Sequence, residues 1–305
     1  MPRHPSLSVP LTMVAVAAVA ALTASRAEDL AKAGRDVLGK NQGAVVTVKL
    51  AIKQSVSMGG RENKSESKTE TTGTVIDPSG LTVVSLAVTD PSSTIKDTYA
   101  RMVAARGGDV SQLKVDSELN DVKIVTADGT EIPADVVLRD KDLDLAYLRP
   151  SDKPAKPLAY IDLGKDAKAQ VLDEVIVINR LSQAADRATA VSIGRIEGII
   201  EKPRTFYLLG QSMWGYSLGA PVFSTEGKLI GIVLLRNSRT QTDQDSGFVF
   251  SNLNQYGMMP VILPASDIVD GAKQALEAKA PAAEEKPAAE EKPAASGKTS
   301  PAKAP

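Results

Sequence analysis

The sequence predicts an all-β protein built from antiparallel barrels or sandwiches, and two observations carry this prediction. Between residues 44 and 251, short runs rich in β-branched residues alternate with turn signals such as the Asp-Pro-Ser-Gly of residues 77–80. These runs follow one another too closely for β-α-β units, which need a helix between parallel strands. The first run, "AVVTVKLAIK" at 44–53, alternates apolar and polar residues as a half-buried strand does.

Four segments lack this alternation of short strands and turns. Residues 28–42 contain the helical pattern "EDLAKAGRDVLGK", and residues 54–73 carry so few large apolar side chains that they predict a long exposed hairpin loop. Residues 90–121 predict an inserted surface segment whose middle, 94–106, is helical up to Gly107 and Gly108. A last helix is expected within 264–279, with Ser266 as its N-cap residue.

Both ends of the chain lie outside the predicted barrel region, residues 43–278. Residues 1–27 read as a secretory signal, with Arg3, an apolar run from 11 to 23 and small residues before Glu28. That run is about thirteen residues, short of the ~20 that cross a bilayer, although an uncleaved membrane anchor is the alternative. We therefore expect an exported protein of the periplasm, cell envelope or extracellular space, with no membrane span in its mature form.

The C-terminal residues 279–305 predict a disordered tail. The hexapeptide "PAAEEK" occurs twice in succession, at 281–286 and 287–292, and alanine, proline, lysine and glutamate cannot assemble a core. A flexible spacer is the preferred interpretation, and a docking motif for a partner is the alternative.

Composition excludes several classes of function. The chain has no cysteine, which excludes disulfides, thiol catalysis and cysteine-bound metals. A net charge of −1 and an aromatic content of 4% argue against a nucleic-acid partner. The only histidine is His4, inside the predicted signal, so the mature chain lacks imidazole for general-base catalysis or zinc binding. We therefore predict no cofactor and no metal.

Four motifs in one order resemble the exported trypsin-like serine proteases of the HtrA type. They are "TGTVIDPSGLTVVSLAV" (72–88), "VTADGTEIPADVVLRDKDLDLAYLRP" (125–150), "PLAYIDLGKDAKAQVLDEVIVINR" (157–180) and "YSLGAPVF" (216–223). The resemblance covers most of residues 44–275 and implies the trypsin-like (chymotrypsin) fold, two six-stranded antiparallel β-barrels with the active cleft between them. It also implies that the tail stands in place of the family's PDZ domain.

The resemblance places the catalytic triad on a degenerate set of residues. "VVSLAV" puts Ala87 at the histidine position, and "DLDLAYL" keeps Asp144 at the aspartate position. "YSLGAP" puts Leu218 at the nucleophile position, with Ser217 on the family's asparagine. Leu234 takes a position where the family often has a serine lining the cleft. No catalytic residue is therefore expected, and Ser217 is the fallback nucleophile.

A serine hydroxyl needs a base, and the candidates here are weak. Lys202 and Lys228 are nearest in the sequence, but a lysine must be desolvated to serve, and both stand next to turns as solvated residues do. Without a histidine to orient, Asp144 is expected to accept backbone N–H groups near Leu86 and Ala87, or else to be exposed.

Other residues near the expected cleft have two interpretations each. Trp214 and Tyr216 belong either to the core, which we prefer, or to a peptide-binding surface. Asp140, Asp142 and Asp144 alternate as on one strand face, but a calcium loop's glycine and glutamate are missing, so surface charge is preferred. Arg180 and Arg187 are expected to be ordinary solvated arginines.

The sequence thus predicts an exported, catalytically inactive relative of trypsin-like proteases that binds a peptide or protein in the cleft between its barrels. Two alternatives stand beside it: an active serine endopeptidase with an atypical site at Ser217, and a structural envelope component without a ligand. The sequence does not predict the oligomeric state.

Overall fold

Twelve strands form two closed antiparallel barrels of six strands each. The protein was analysed as a computed structural model that describes residues 11–210, 217–237 and 258–278. In the first barrel the strands lie in the order β1-β2-β3-β6-β5-β4, and in the second they lie in the order β10-β11-β12-β9-β8-β7. The predicted pair of six-stranded antiparallel barrels is confirmed.

The first barrel consists of β1 (Val45–Met58), β2 (Arg61–Val75), β3 (Thr82–Ser85), β4 (Lys114–Val125), β5 (Glu131–Asp140) and β6 (Leu145–Pro150). The second consists of β7 (Glu174–Arg180), β8 (Thr189–Ile200), β9 (Phe206–Leu209), β10 (Pro221–Ser224), β11 (Leu229–Asn237) and β12 (Met258–Pro264). Within the described residues four α-helices flank them: α1 (Leu11–Asn41), α2 (Leu86–Thr89), α3 (Ser92–Ala104) and α4 (Val269–Glu277).

Buried β-branched and leucine side chains hold the two barrels against each other. One cluster joins β6 of the first barrel, through Leu145 and Tyr147, to Ile232 and Leu263 of the second. Tyr147 is fully buried, and its hydroxyl donates to the carbonyl oxygen of Ile268 over 3.1 Å. Because an unpaired buried hydroxyl would be costly, this bond fixes how the chain after β12 crosses back to the first barrel.

The segment predicted as a long hairpin loop, 54–73, is strand instead. β1 and β2 pair without a break from Val45↔Thr74 to Met58↔Arg61, so the only loop residues are Gly59 and Gly60. The prediction was wrong because it relied on apolar residues, whereas this part of the hairpin exposes mostly polar side chains and is held by its backbone ladder.

Two further details differ from the predictions. The helix expected within 94–106 is α3, but the inserted segment is shorter than 90–121 because β4 begins at Lys114. Ser266 does not cap α4: it lies in a 3₁₀ turn, and Ile268 takes the N-cap position without a side-chain hydrogen bond. The strand expected at 246–251 and the tail 279–305 lie outside the described residues.

Helix α1 is longer than the short helix predicted within 28–42. It runs without interruption from Leu11, through part of the segment assigned to the signal, to Asn41. Near its end Val37 is buried against the first core cluster, and Asn41 donates its side-chain N–H to the Val37 carbonyl over 2.9 Å. In the part of the chain described, no helix meets the length and apolarity that a membrane span requires.

Candidate functional site between the barrels

A cavity of about 520 Å³ opens where the first barrel meets β11 of the second. Its walls come from α2 and the start of α3, from the turn between β5 and β6, from the chain before β9, and from β11. Its lining includes Ala87, Asp144, Leu234 and Leu235. The site is thus assembled from segments far apart in the sequence.

Asp144 lies at the centre of this junction. Its backbone has a φ of 57°, a left-handed conformation that aspartate tolerates better than most residues. One carboxylate oxygen accepts the N–H of Ala87 over 2.8 Å, and the other accepts the Ser85 hydroxyl over 2.5 Å and the N–H of Leu235 over 3.0 Å. The carboxylate therefore ties α2 of the first barrel to β11 of the second.

These contacts match the expectation that Asp144 accepts backbone donors at Ala87. The expected donor at Leu86 is present too, but it bonds to the main-chain oxygen of Asp144, at 2.9 Å, rather than to the carboxylate. Nothing in the sequence singles out Ser85 or the N–H of Leu235 as a further donor. A serine in the apolar run "VVSLAV" looks like any strand residue, and the β11 contact depends on how the barrels pack.

Burial controls the ionisation of this carboxyl group. Desolvation raises the pKa of Asp144 to about 6, and the hydrogen bonds from Ser85, Leu235 and Ala87 offset only part of that rise. The three donors favour the ionised carboxylate, whereas burial favours the neutral carboxyl group and has the larger effect. The free energy that holds α2 against β11 therefore depends on whether the Asp144 carboxyl group is protonated.

Leu218 lies in the turn that leads into β10, against the first barrel. Its carbonyl oxygen accepts the Thr71 hydroxyl over 3.0 Å, and the carbonyl oxygen of Gly219 accepts the Thr74 hydroxyl over 2.7 Å. The Leu218 side chain packs against the second barrel's core cluster. An apolar side chain thus stands where the resemblance places the nucleophile.

Ser217 is fixed through its backbone. Its N–H donates to the side-chain oxygen of Asn179 over 3.0 Å, and its carbonyl oxygen accepts the N–H of Ala220 over 3.1 Å. Asn179 is fully buried, and within the described residues its side-chain nitrogen has no partner. Asn179 is therefore a supporting residue of this turn that the sequence did not reveal.

Leu234 is buried, with 1% of its surface exposed, and belongs to the cluster that joins the barrels. It lines the inner wall of the cavity, where the resemblance expects a serine. Trp214 and Tyr216, the other proposed contributors, lie outside the described residues.

The two arginines predicted to be solvated are instead structural. Arg180 donates from its side chain to the carbonyl oxygens of Val45, at 2.7 Å, and Arg187, at 3.3 Å. Arg187 forms an ion pair with Glu70 over 2.6 Å, with about a quarter or less of each side chain exposed. The prediction was wrong because β2 extends past the first barrel and brings its acidic and threonine side chains against the β7–β8 loop.

The aspartates of 140–144 do not share a strand face. β5 ends at Asp140, whose carboxylate accepts the N–H groups of Asp142 and Leu143 over 2.9 and 3.0 Å and so shapes the following turn. Among the residues that the structure describes, no group of three or more histidine, cysteine or acidic side chains is placed to hold a metal ion.

The family profile of the trypsin-like peptidase domain matches residues 71–232, from β2 of the first barrel into β11 of the second. The chain belongs to this family. The matched range contains the three positions at which the resemblance places the triad, Ala87, Asp144 and Leu218. A search of curated proteins gives no significant match.

Proposed function

We propose that this trypsin-like chain is an exported, catalytically inactive member of its family that binds an extended peptide or protein segment in the cleft between its barrels. The observation that carries the proposal is the contact at Ala87. Ala87 has no imidazole for Asp144 to orient, the Asp144 carboxylate accepts the Ala87 backbone N–H instead, and the chain's only histidine is His4.

The neighbourhood of Ser217 also favours inactivity. A serine nucleophile needs a base within hydrogen-bond reach, and a lysine can act as one only when burial lowers its pKa. Lys202 and Lys228 are both exposed. The Ser217 turn is held to Asn179 and Ala220 through main-chain groups, a role that needs no hydroxyl.

A free strand edge beside the cavity supports binding. Val233 donates its N–H to Ala220 and accepts the N–H of Gly219, so its polar groups point away from β12. Because alternate residues of a strand point the same way, the polar groups of Leu235 and Asn237 face this side too. In the described part of β11, pairing with β10 ends at Ile232. Beyond it Asp144 holds the Leu235 N–H, so this edge offers an added peptide strand the carbonyl oxygen of Leu235 and the main-chain groups of Asn237.

Export to the cell envelope is part of the proposal and rests on the features of residues 1–27, while the HtrA type rests on the order of the four motifs. An envelope protein with an unreactive cleft would use it to hold extended segments rather than to cut them.

Filling the cavity should abolish this binding. Ala87 is half-buried at the cavity wall, and Ala87→Trp would occupy part of the 520 Å³ while leaving its backbone bond to Asp144. Peptides selected by display against the wild-type chain should bind the variant at least about tenfold more weakly, which corresponds to about 1.4 kcal/mol, by fluorescence polarisation. Ala104→Trp, on the exposed side of α3, is the control and should bind as the wild type does. Equal binding by Ala87→Trp would place the peptide site elsewhere.

A further inference from the structure

The β1–β2 hairpin leaves one long strand edge uncovered. β2 runs from Arg61 to Val75, but its pairing with β3 uses only Thr74 and Val75. From Glu70 onward the second barrel lies against β2, through the Arg187–Glu70 ion pair and the bonds from Thr71 and Thr72. Over 61–69 no described strand covers the outer edge of β2.

The hairpin turn decides which polar groups this edge offers. Gly59 and Gly60 both have positive φ, 57° and 79°, as in a two-residue type I′ turn, and Met58 pairs with Arg61 across it. In such a hairpin the residues flanking the turn bond to each other, so the odd-numbered residues of β2 bond to β1. The N–H and C=O groups of the even-numbered residues therefore point outward.

These outward residues carry charges of alternating sign. Glu62, Lys64, Glu66 and Lys68 are all exposed and share one face of the ribbon, because strand side chains alternate. Within the chain Lys64 forms an ion pair with Glu62 over 3.3 Å, and both side chains remain at least half exposed. Charged side chains on an edge strand oppose pairing with most other strands, because a partner without matching charges would have to desolvate them. The same pattern is complementary to a strand that places a basic side chain opposite each glutamate and an acidic side chain opposite each lysine.

We propose that this edge pairs with the same edge of a second copy of the chain, antiparallel and about a two-fold axis at Ser65. In that register Glu62 lies opposite the partner's Lys68, and Lys64 lies opposite the partner's Glu66; the symmetry repeats both pairs. All four are oppositely charged cross-strand pairs, each contributing about 0.2–1 kcal/mol. The outward N–H and C=O groups of the even-numbered residues complete the backbone ladder, and the interface is isologous.

The neighbouring registers fit less well. An axis at Asn63 keeps only two oppositely charged pairs, Glu62 with the partner's Lys64 and its symmetry equivalent, instead of four. An axis at Lys64 or at Glu66 sets like charges opposite each other throughout this stretch. An axis at Ser67 would pair Lys64 with the partner's Glu70, but the Arg187 side chain already holds Glu70.

The opposite edge of the ribbon does not have this symmetry. In β4, Asp116 and Glu118 repeat the same sign on one face, and the Ser117 hydroxyl donates to Asp90 beside α3 over 2.6 Å. The ribbon therefore has one edge suited to self-pairing.

A single cysteine tests the register. The chain has none, so Ser65→Cys introduces a unique thiol on the proposed axis, where Cα atoms of a non-hydrogen-bonded pair lie about 4.5 Å apart, within disulfide range. In the same register two copies of residue 63 lie about 13 Å apart along the strands. Under mild oxidation the full chain should form a disulfide-linked dimer with Ser65→Cys and stay unlinked with Asn63→Cys. Equal linking of both variants, no linking of either, or linking of Ser65→Cys to a different protein in cells would overturn the proposal.

Charge reversal tests the pairs independently of any cross-link. Lys64→Glu and Glu66→Lys should each abolish the dimer seen by sedimentation velocity in low salt, because each sets two like-charged pairs across the axis. The double variant keeps the net charge and restores opposite charges in the Ser65 register, so it should dimerise as the wild type does. In the Ser67 register the double variant would set the glutamate introduced at position 64 against Glu70, and it would not be rescued. A monomeric wild type, or a dimer unaffected by the single changes, contradicts the proposal, and thermal melting checks that each variant is folded.

Discussion

Replacing Gly219 with alanine is expected to destabilise the protein by about 3–5 kcal/mol, enough to unfold a marginally stable domain. Gly219 has a φ of +88°, which costs a residue with a Cβ about 1–3 kcal/mol. The added Cβ would also stand 2.0 Å from the main-chain oxygen of Thr72, so β2 or the turn would have to shift. Because this turn also provides the carbonyl oxygen that accepts the Thr74 hydroxyl, both barrels would be affected.

Gly129→Ala is the matched control for this effect. Gly129 has nearly the same φ, +85°, but nothing lies within 4 Å of its added Cβ. It should lose about 1 kcal/mol, from backbone strain alone. Urea unfolding followed by circular dichroism measures both losses. If the two variants lose equal stability, the close approach of the Gly219 turn to β2 is wrong.

The second large effect is a pH dependence that belongs to Asp144. Its folded pKa of about 6 lies above the ordinary value of 3.8, so the folded chain keeps this proton at pH values where the unfolded chain has released it. The contribution is fully present below the unfolded pKa and is lost as the pH rises through 6. Two pKa units correspond to about 3 kcal/mol.

Asp144→Asn isolates this titration, since an amide does not ionise in this range. Between pH 4 and pH 7 the free energy of unfolding of the wild type should fall by about 2–2.5 kcal/mol relative to the variant, because pH 4 already lies just above the unfolded pKa. Asp142→Asn, which removes an exposed carboxylate from the same turn, controls for the loss of a charge. If the difference in unfolding free energy between the wild type and Asp144→Asn stays constant with pH, the three hydrogen bonds offset the desolvation. If the wild type instead gains stability over the variant as the pH rises, the hydrogen bonds outweigh it. Either result contradicts the prediction.

The two barrels could be predicted from the sequence because their strands carry the pattern that burial requires. β6 and β7 are nearly continuous apolar runs, and each follows a turn that the sequence marks. The β1–β2 ribbon could not be predicted in this way. Beyond Gln54 and up to Ser65 its side chains are largely polar and solvent-facing, so what holds it is the pairing of main-chain groups, which no side-chain pattern reports.

The site could be predicted only where the aligned motifs place its residues. The N–H of Ala87 was an expected donor to Asp144, because both follow from the aligned motifs. The contact from Leu235 and the Arg187–Glu70 ion pair could not be inferred, since each joins residues about a hundred positions apart across the barrel junction. Such contacts depend on the relative placement of two barrels, which local sequence does not encode.

A serine-reactive fluorophosphonate probe tests whether the cleft between the barrels lacks a working nucleophile, as the proposed function requires. The full-length chain, treated beside an active serine protease as positive control, should remain unlabelled across pH 6–9, and its Ser217→Ala variant should look the same. Labelling of the wild type that disappears in Ser217→Ala would contradict the proposed function, because it would show an activated nucleophile at Ser217.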